Sequence, residues 1–347
     1  MEITCYPTYG YKKDGAWKIP MRVWVYTNRS LFGHPITHLL MDHSVNFENR
    51  IADLVAHNEG GQKVSFTFDA DTASRRYSVD GDPPTKGDGL IVGDITLDAG
   101  EAKNLLALQN SQNGWLSYHA VAGGVVSEGL VQLLESKAGV VSVVSDIDDT
   151  IKITEIPAGT EIVLRNTFLR DFVALPEMAQ IYRALYQDPT NASFHYVSGG
   201  PWPLYNPVAD FLIKKEGFPA GSFHMRTVDK KISAATFLND LKLLVEDGFS
   251  LSDLSREETR KHKVAEITTL MTNLPDRQFY LIGDSGEKDP EAFGEIRSKF
   301  SKLVKEIRIR DVVNADADKN DPRKYRLTGM VVRHAPTIVH GKSQFDS

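Results

Sequence analysis

Three short runs constrain the fold most: VVSVV (140–144), FHYV (194–197) and QFYLI (278–282) show no sustained polar–apolar alternation, and EIRI (306–309) adds a fourth candidate. A strand with one wet face alternates with period two, so apolar runs without alternation predict strands covered on both faces, as in a parallel sheet. The intervening segments supply the cover. Met178, Ile181, Tyr182, Leu185 and Tyr186 recur at helical spacing, as do Val264, Ile267, Leu270 and Leu274, and then Phe293, Ile296, Phe300 and Leu303. Asn206-Pro207 and Asp289-Pro290 each offer an N-cap followed by proline at the first helical position. Strands alternating with helices predict an α/β fold, a mostly parallel sheet flanked by helices.

Upstream the pattern differs. MRVWVYT (21–27), KVSFTFD (63–69), RRYSVDG (75–81), GLIVGDITLD (89–98) and WLSYHAV (115–121) are rich in β-branched and aromatic residues and separated by turn formers, which predicts a β-sandwich or jelly roll. One helix interrupts it, with Phe47, Ile51, Leu54 and Val55 on a shared face and Gly60-Gly61 beyond its end. At 347 residues the chain has room for two domains. The expected division is a β-sandwich-like unit over 1–138, an α/β unit over 139–313 and a polar C-terminal extension over 314–347.

Composition narrows the function classes. A net charge of −6 with no polybasic stretch argues against nucleic acid as partner. The only cysteine is Cys5, which excludes disulfide frameworks and cysteine zinc sites and fits a reducing compartment. With neither an apolar leader nor a membrane-length apolar run, the expectation is a cytoplasmic protein.

Three strands run directly into polar loops: VVSVV into DIDDT, FHYV into SGG, and QFYLI into GDSGEKD. Ligands of open α/β sheets bind at the carboxyl ends of strands, so these loops are expected to converge. Asp146, Asp148, Asp149, Asp284 and Asp289 together would repel one another unless some are protonated or a cation sits among them. Mg²⁺ suits them better than Ca²⁺, because Thr150, Ile151 and Pro157 occupy positions where a calcium loop needs a ligand, glycine and glutamate. No histidine pair has zinc-ligand spacing. Tyr196 precedes Ser198 where a nucleophile elbow needs glycine, and neither a phosphate loop nor a dinucleotide fingerprint occurs. Phosphate could be held by Ser198, the amides of Gly199-Gly200 and a lysine, for which Lys263 is the best candidate. The set suits aspartyl-phosphate chemistry, with Asp146 attacking phosphorus and Asp148 exchanging the proton. Such roles would be served by a metal next to Asp146 and a drier site for Asp148.

The motifs Asp146-Ile147-Asp148-Asp149-Thr150, Ser198, Lys263 and Gly283 to Asp289 resemble those of the haloacid dehalogenase superfamily of phosphohydrolases. More narrowly, SDIDDTIKIT, YVSGGPWPLY and LIGDSGEKDPEAF resemble the phosphatidate phosphatase family typified by the yeast actin-patch-associated enzyme. The resemblance extends upstream to YPTYGYKKDGAWKIPMRVWVYT and Asp88 to Leu90. It implies a Rossmann-like catalytic sheet and a Mg²⁺-dependent conversion of phosphatidate, or a related phospholipid at a membrane surface, to diacylglycerol. It implies Asp146 as nucleophile, Asp148 as acid/base and Ser198, Gly199 and Lys263 as phosphate ligands. It further implies a metal held by Asp146, Asp284 and the carbonyl of Asp148, with Thr150 and Asp289 behind. Peripheral attachment to membranes would follow.

Plainer readings stand beside these. Asp289 could be only the N-cap before Pro290, Ser198-Gly199-Gly200 only a turn, and Trp202 and Tyr205 either packing residues or a lipid-facing rim. His195 reads as core. Residues 152–192 and 220–262 could form a lid or a lipid-contacting surface, or simply pack. The alternatives for function are a phosphatase acting on another lipid or a soluble ester, and a membrane- or protein-binding module with a dormant phosphatase fold.

Overall fold

Two sheets organise the computed structural model of the chain, which describes residues 1–28, 45–175, 177–187, 191–227, 253–313 and 326–334. The first contains β1 (Glu2–Cys5), β2 (Thr8–Lys13), β3 (Ala16–Thr27), β4 (His57–Asn58), β5 (Ser65–Phe68), β6 (Leu90–Asp98), β7 (Trp115–Ala122) and β8 (Val125–Leu133). Its strands run β1-β3-β2-β8-β7-β5, with β4 and β6 also on β3, and all pairs are antiparallel except β2 with β8. Alternation places Leu116, Tyr118, Ala120 and Ala122 of β7 in one core with Ile19, Met21, Val23 and Phe66.

Helix α1 (Val45–Val55) falls where the spacing predicts it. RRYSVDG does not form a strand; only Tyr77 bridges to Phe66. There the Asp71 carboxylate accepts the amides of Ala73 and Arg75 and Ser74 takes a left-handed φ, so local turn chemistry overrides β-propensity. Helix α2 (Ala99–Leu108) was not expected, although Asp98 and Glu101 form a capping box that DAGE encodes.

The second sheet contains β9 (Val141–Ser145), β10 (Ser193–Pro201), β11 (Gly221–Arg226), β12 (Gln278–Asp284), β13 (Val304–Asp311) and β14 (Val331–His334), in the order β11-β10-β9-β12-β13-β14 with every pair parallel. Helices α3 (Thr160–Leu164), α4 (Met178–Gln187), α5 (Tyr205–Ala209), α6 (Asp253–Asn273) and α7 (Asp289–Lys299) connect the strands. β9 is buried along its whole length because both faces are covered. Val144, Val197, Phe279 and Leu281 pack with Ile267 and Leu270 of α6 and Phe293 and Ile296 of α7; Val143, Phe194 and Tyr196 pack with Tyr182 of α4, Val208 of α5 and Leu212 beyond it.

The edge strands β11 and β14 were not anticipated, and β14 lies in the stretch expected to be a C-terminal extension. Most of that stretch, and residues 228–252 of the second insertion, lie outside the described residues. Both proposed caps are corrected. Lys288 precedes α7 and no side chain caps it, while Asp289 turns inward as the first helical residue. Asn206 lies within α5 and donates its amide to Asp53 Oδ2 at 2.8 Å.

The two sheets meet directly. Asn273 Nδ2 donates to the Tyr9 hydroxyl at 2.9 Å, and the Phe223 amide donates to the Pro7 carbonyl. The rings of Trp202 and Tyr205 sit 4.5 and 5.0 Å from that of Tyr6, so both pack against it. Among the described residues no helix is long and apolar enough to cross a membrane.

Candidate active site

From β9 the chain leaves to β10 on one side, whereas β12 lies on the other. Adjacent connections therefore depart in opposite directions and open a crevice at the carboxyl ends of β9, β10 and β12. Parallel register sets Ser145 level with Tyr196 and Ile282. The Asp146 amide donates to the Ile282 carbonyl at 2.9 Å, so one residue past Ser145 and two past Tyr196 and Ile282 bring Asp146, Ser198 and Asp284 to the same end.

Lys263, on α6, holds the centre. Its Nζ is 2.8 Å from Asp146 Oδ1 and 3.0 Å from Glu287 Oε2, and it also pairs with Asp289 Oδ1. The contact with Asp146 is an ion pair without hydrogen-bond alignment, since Oδ1 has no hydrogen-bond partner. Burial alone would lower the ammonium pKa, but Asp146, Asp289, Glu287 and Asp284 together hold it well above its ordinary value. Nearby on α6, Arg260 pairs with Glu257 and Glu295, and Lys261 with Glu258, so of these three it is Lys263 that reaches the carboxylates of the site.

The carboxylates outnumber this lysine. Asp146, Asp284 and Asp289 are fully enclosed and each offers an oxygen within 4.8 Å of the others. Burial drives all three carboxyls upward; Lys263 opposes the rise, and Asp289 adds to it at Asp146 and Asp284. Asp284 Oδ1 accepts the amides of Gly286 (2.6 Å) and Glu287 (3.1 Å), while Oδ2 is buried without a partner. An orphaned carboxylate oxygen within an acidic cluster carrying one cation fits a hard metal ion, and these residues could hold one.

Asp148 is set differently. Its side chain is 23% exposed against 1% for Asp146, and Oδ1 takes an ion pair from Lys152 at 2.7 Å and a hydrogen bond from Thr154 Oγ1 at 2.6 Å. Burial pushes this carboxyl up, but Lys152, with Thr154 and Lys263 in support, more than offsets it and holds the group below its usual range. The expected drier site for Asp148 is therefore corrected: Asp146 is the drier of the two. Thr150 donates to Asp146 Oδ2 at 3.0 Å.

Asp149 organises the loop. Its left-handed backbone turns the chain, and its carboxylate accepts the amides of Thr154 (2.9 Å), Glu155 (2.7 Å) and Ile156 (2.6 Å), which places Thr154 against Asp148. Lys152 and Thr154 escaped the sequence reading. The available signal was a lysine four residues after Asp148, inside the otherwise uncharged TIKIT.

Ser198 Oγ lies 3.4 Å from Asp148 Oδ2 and accepts the Gly200 amide at 2.9 Å. A Cβ on Gly199 would meet Thr259 Cγ2 at 2.6 Å, so only glycine lets β10 approach α6 this closely. Gly283 is equally constrained: its Cβ would collide with Asp289 Oδ2 and stand 2.7 Å from Phe293 Cε2. Gly283→Ala is expected to lower stability by about 1–3 kcal/mol, measurable by urea denaturation, because it displaces Asp289 from the Asp284 amide.

His195 is core, as read. It sits in a relay that runs from buried Arg277 through Ser142, His195, Ser222 and His224 to partly exposed Glu266.

A cavity of about 260 Å³ opens beside Asp148, Lys152, Ser198 and Gly199, and its far wall is apolar, built from Val163, Leu164, Phe168, Phe172, Leu204 and Met225. Part of the segment 152–192 thus lines the site.

A parallel sheet with a buried carboxylate–lysine centre at its switch point defines this as an α/β domain with a candidate ligand site there. Residues 141–311 match the family model described as "Phosphatidate phosphatase APP1, catalytic domain", and this segment belongs to that family. Over 180 residues, 51% of the chain, it is 24% identical to Phosphatidate phosphatase APP1 of Saccharomyces cerevisiae; over 176 residues, 50% of the chain, it is 27% identical to an uncharacterised protein of Schizosaccharomyces pombe. The matched stretches span 27% and 26% of those two proteins. A solved carbohydrate esterase aligns over 91% of this chain and 90% of its own at 9% identity, with a TM-score of 0.24, too low to bear on the fold.

Proposed function

We propose that the chain is a Mg²⁺-dependent phosphatidate phosphatase of the haloacid dehalogenase type, releasing diacylglycerol and phosphate through an aspartyl-phosphate on Asp146. The observation that carries this reading is the junction of two environments. The carboxylate–lysine centre suits a phosphate and a cation, and the cavity opening from it at Asp148 and Ser198 has the apolar wall an acyl-bearing ester needs.

In this mechanism Asp146 attacks phosphorus as the ester oxygen leaves. Lys263 offsets negative charge on the transferring group, and Ser198 with the Gly199 and Gly200 amides orients it. Asp148 rests ionised beside Lys152. The arriving phosphate dianion adds negative charge next to it and raises its carboxyl, so that it takes up a proton and delivers it to the leaving oxygen. Asp148, deprotonated again, then accepts a proton from the water that attacks phosphorus and frees Asp146. A Mg²⁺ held by Asp146, Asp284 and the Asp148 carbonyl, with Asp289 behind, would supply charge neutralisation for the phosphoryl group. The working location is the cytoplasmic surface of a membrane, where the substrate lies.

The deciding experiment compares phosphate release from phosphatidate in mixed micelles with release from a panel of soluble esters, with and without Mg²⁺. Turnover of phosphatidate that EDTA removes and Mg²⁺ restores is expected. Preference for a soluble ester would overturn the lipid assignment, and metal-independent turnover the cofactor.

A further inference from the structure

A second cavity, about 730 Å³, lies between the two sheets and shares Met225 and Arg226 with the cavity beside Asp148. It is bounded by Tyr6, Tyr9 and Arg22 on one side and by Trp202, His224 and Arg226 on the other. Its volume lies within the range of about 300–1,000 Å³ common for small-molecule sites. Glu258 pairs with Lys261 at 3.0 Å, and Glu266 Oε2 lies 3.0 Å from His224 Nδ1.

Arg22 is different. Its guanidinium carbon stands 4.5 Å from the Trp202 ring centroid and 6.0 Å from that of Tyr6, and one Nη donates to Thr227 Oγ1 at 3.3 Å. Its Nε is buried with no hydrogen-bond partner, although Asp88 and Glu266 act on the guanidinium electrostatically. The aromatic contacts compensate part of the lost hydration but leave Nε unmatched, and a guanidinium donor edge fits the oxygens of a phosphate or a carboxylate. Arg226, on the same cleft, adds a second cation.

We propose that this cleft is a second ligand site, which binds a phosphate-bearing anion through Arg22 and Arg226 with the body of the ligand against Trp202 and Tyr6. The phosphate could be a lipid headgroup or a free phosphate ester, and the two are separable by experiment. The inference does not rest on the proposed catalytic activity, because its readout is binding.

The full chain carrying Asp146→Asn, which prevents turnover, is titrated calorimetrically with glycerol 3-phosphate and sedimented with phosphatidylcholine vesicles with and without phosphatidate. Arg22→Gln is expected to weaken one binding event about tenfold or more, the loss of a charge-assisted hydrogen bond, while Ser198→Ala weakens a different one. Arg22→Lys keeps the charge but loses the fork, so it should fold normally and still bind more weakly. An Arg22 effect on glycerol 3-phosphate alone assigns a free ester; an effect on phosphatidate vesicles alone assigns a headgroup. Binding of both probes unchanged in Arg22→Gln and Arg22→Lys, or no binding beyond an event that Ser198→Ala removes, overturns the proposal.

Discussion

Asp146→Asn is expected to abolish phosphate release from phosphatidate, by on the order of 10⁴-fold or more, in a protein that remains folded. The amide keeps nearly the same shape and can still accept the Thr150 hydroxyl, which now contacts Oδ2 at 3.0 Å. It cannot displace an alcohol from phosphorus. Because burial raises the Asp146 carboxyl and neighbouring carboxylates add to the rise, a neutral side chain there relieves a desolvation cost. The melting temperature should therefore stay level or increase, read by circular dichroism alongside the assay. Retained turnover would remove Asp146 as nucleophile; lost turnover with lost structure would be answered by Asp146→Glu, which keeps the charge but moves it by one methylene.

Lys263→Met should have the largest effect on stability. The ammonium is 1% exposed and is the counter-charge for Asp146, Glu287 and Asp289, so its removal leaves buried carboxylates facing one another. Breaking a buried ion pair from one side costs about 3–5 kcal/mol. The pH dependence gives the sign. Asp146, Asp284 and Asp289 have carboxyls raised in the folded state, so stability is fully present below their unfolded range near about pH 4 and declines as pH rises through the raised values. Lys263 limits that decline up to alkaline pH, its own value being raised. Without it, urea midpoints should fall more steeply between acidic and neutral pH, and added Mg²⁺ should recover part of the loss. A variant as stable as the parent at neutral pH without metal would show that the cluster is protonated rather than charge-compensated.

Much of this site is legible in the sequence. The central strands were readable because burial on both faces removes alternation, and the ends of β9, β10 and β12 because short polar residues follow apolar runs abruptly. The outer strands β11 and β14 were not, since GSFHMR and VVRH are too short and mixed to announce themselves; their pairing with β10 and β13 creates them. Similarly, DPEAF reads locally as a cap and first turn, yet Asp289 is drawn inward by Lys263 and the Asp284 amide, two partners distant in sequence or in the preceding loop.

The amino-acid sequence by itself determined which chemistry is available: DIDDT, SGG and GDSGEKD at strand ends, with a lysine on a helix, because side-chain type and local periodicity are properties of neighbours in the chain. Only the tertiary structure decided how the carboxylates divide their states. Asp146 and Asp148 are two residues apart and chemically identical, but one is enclosed with Asp284, Asp289 and Lys263, while the other meets Lys152 and the mouth of a cavity. Solvation and charge depend on what the fold brings within a few ångströms, so the division between a dry, raised carboxyl and one held ionised could not be read along the chain.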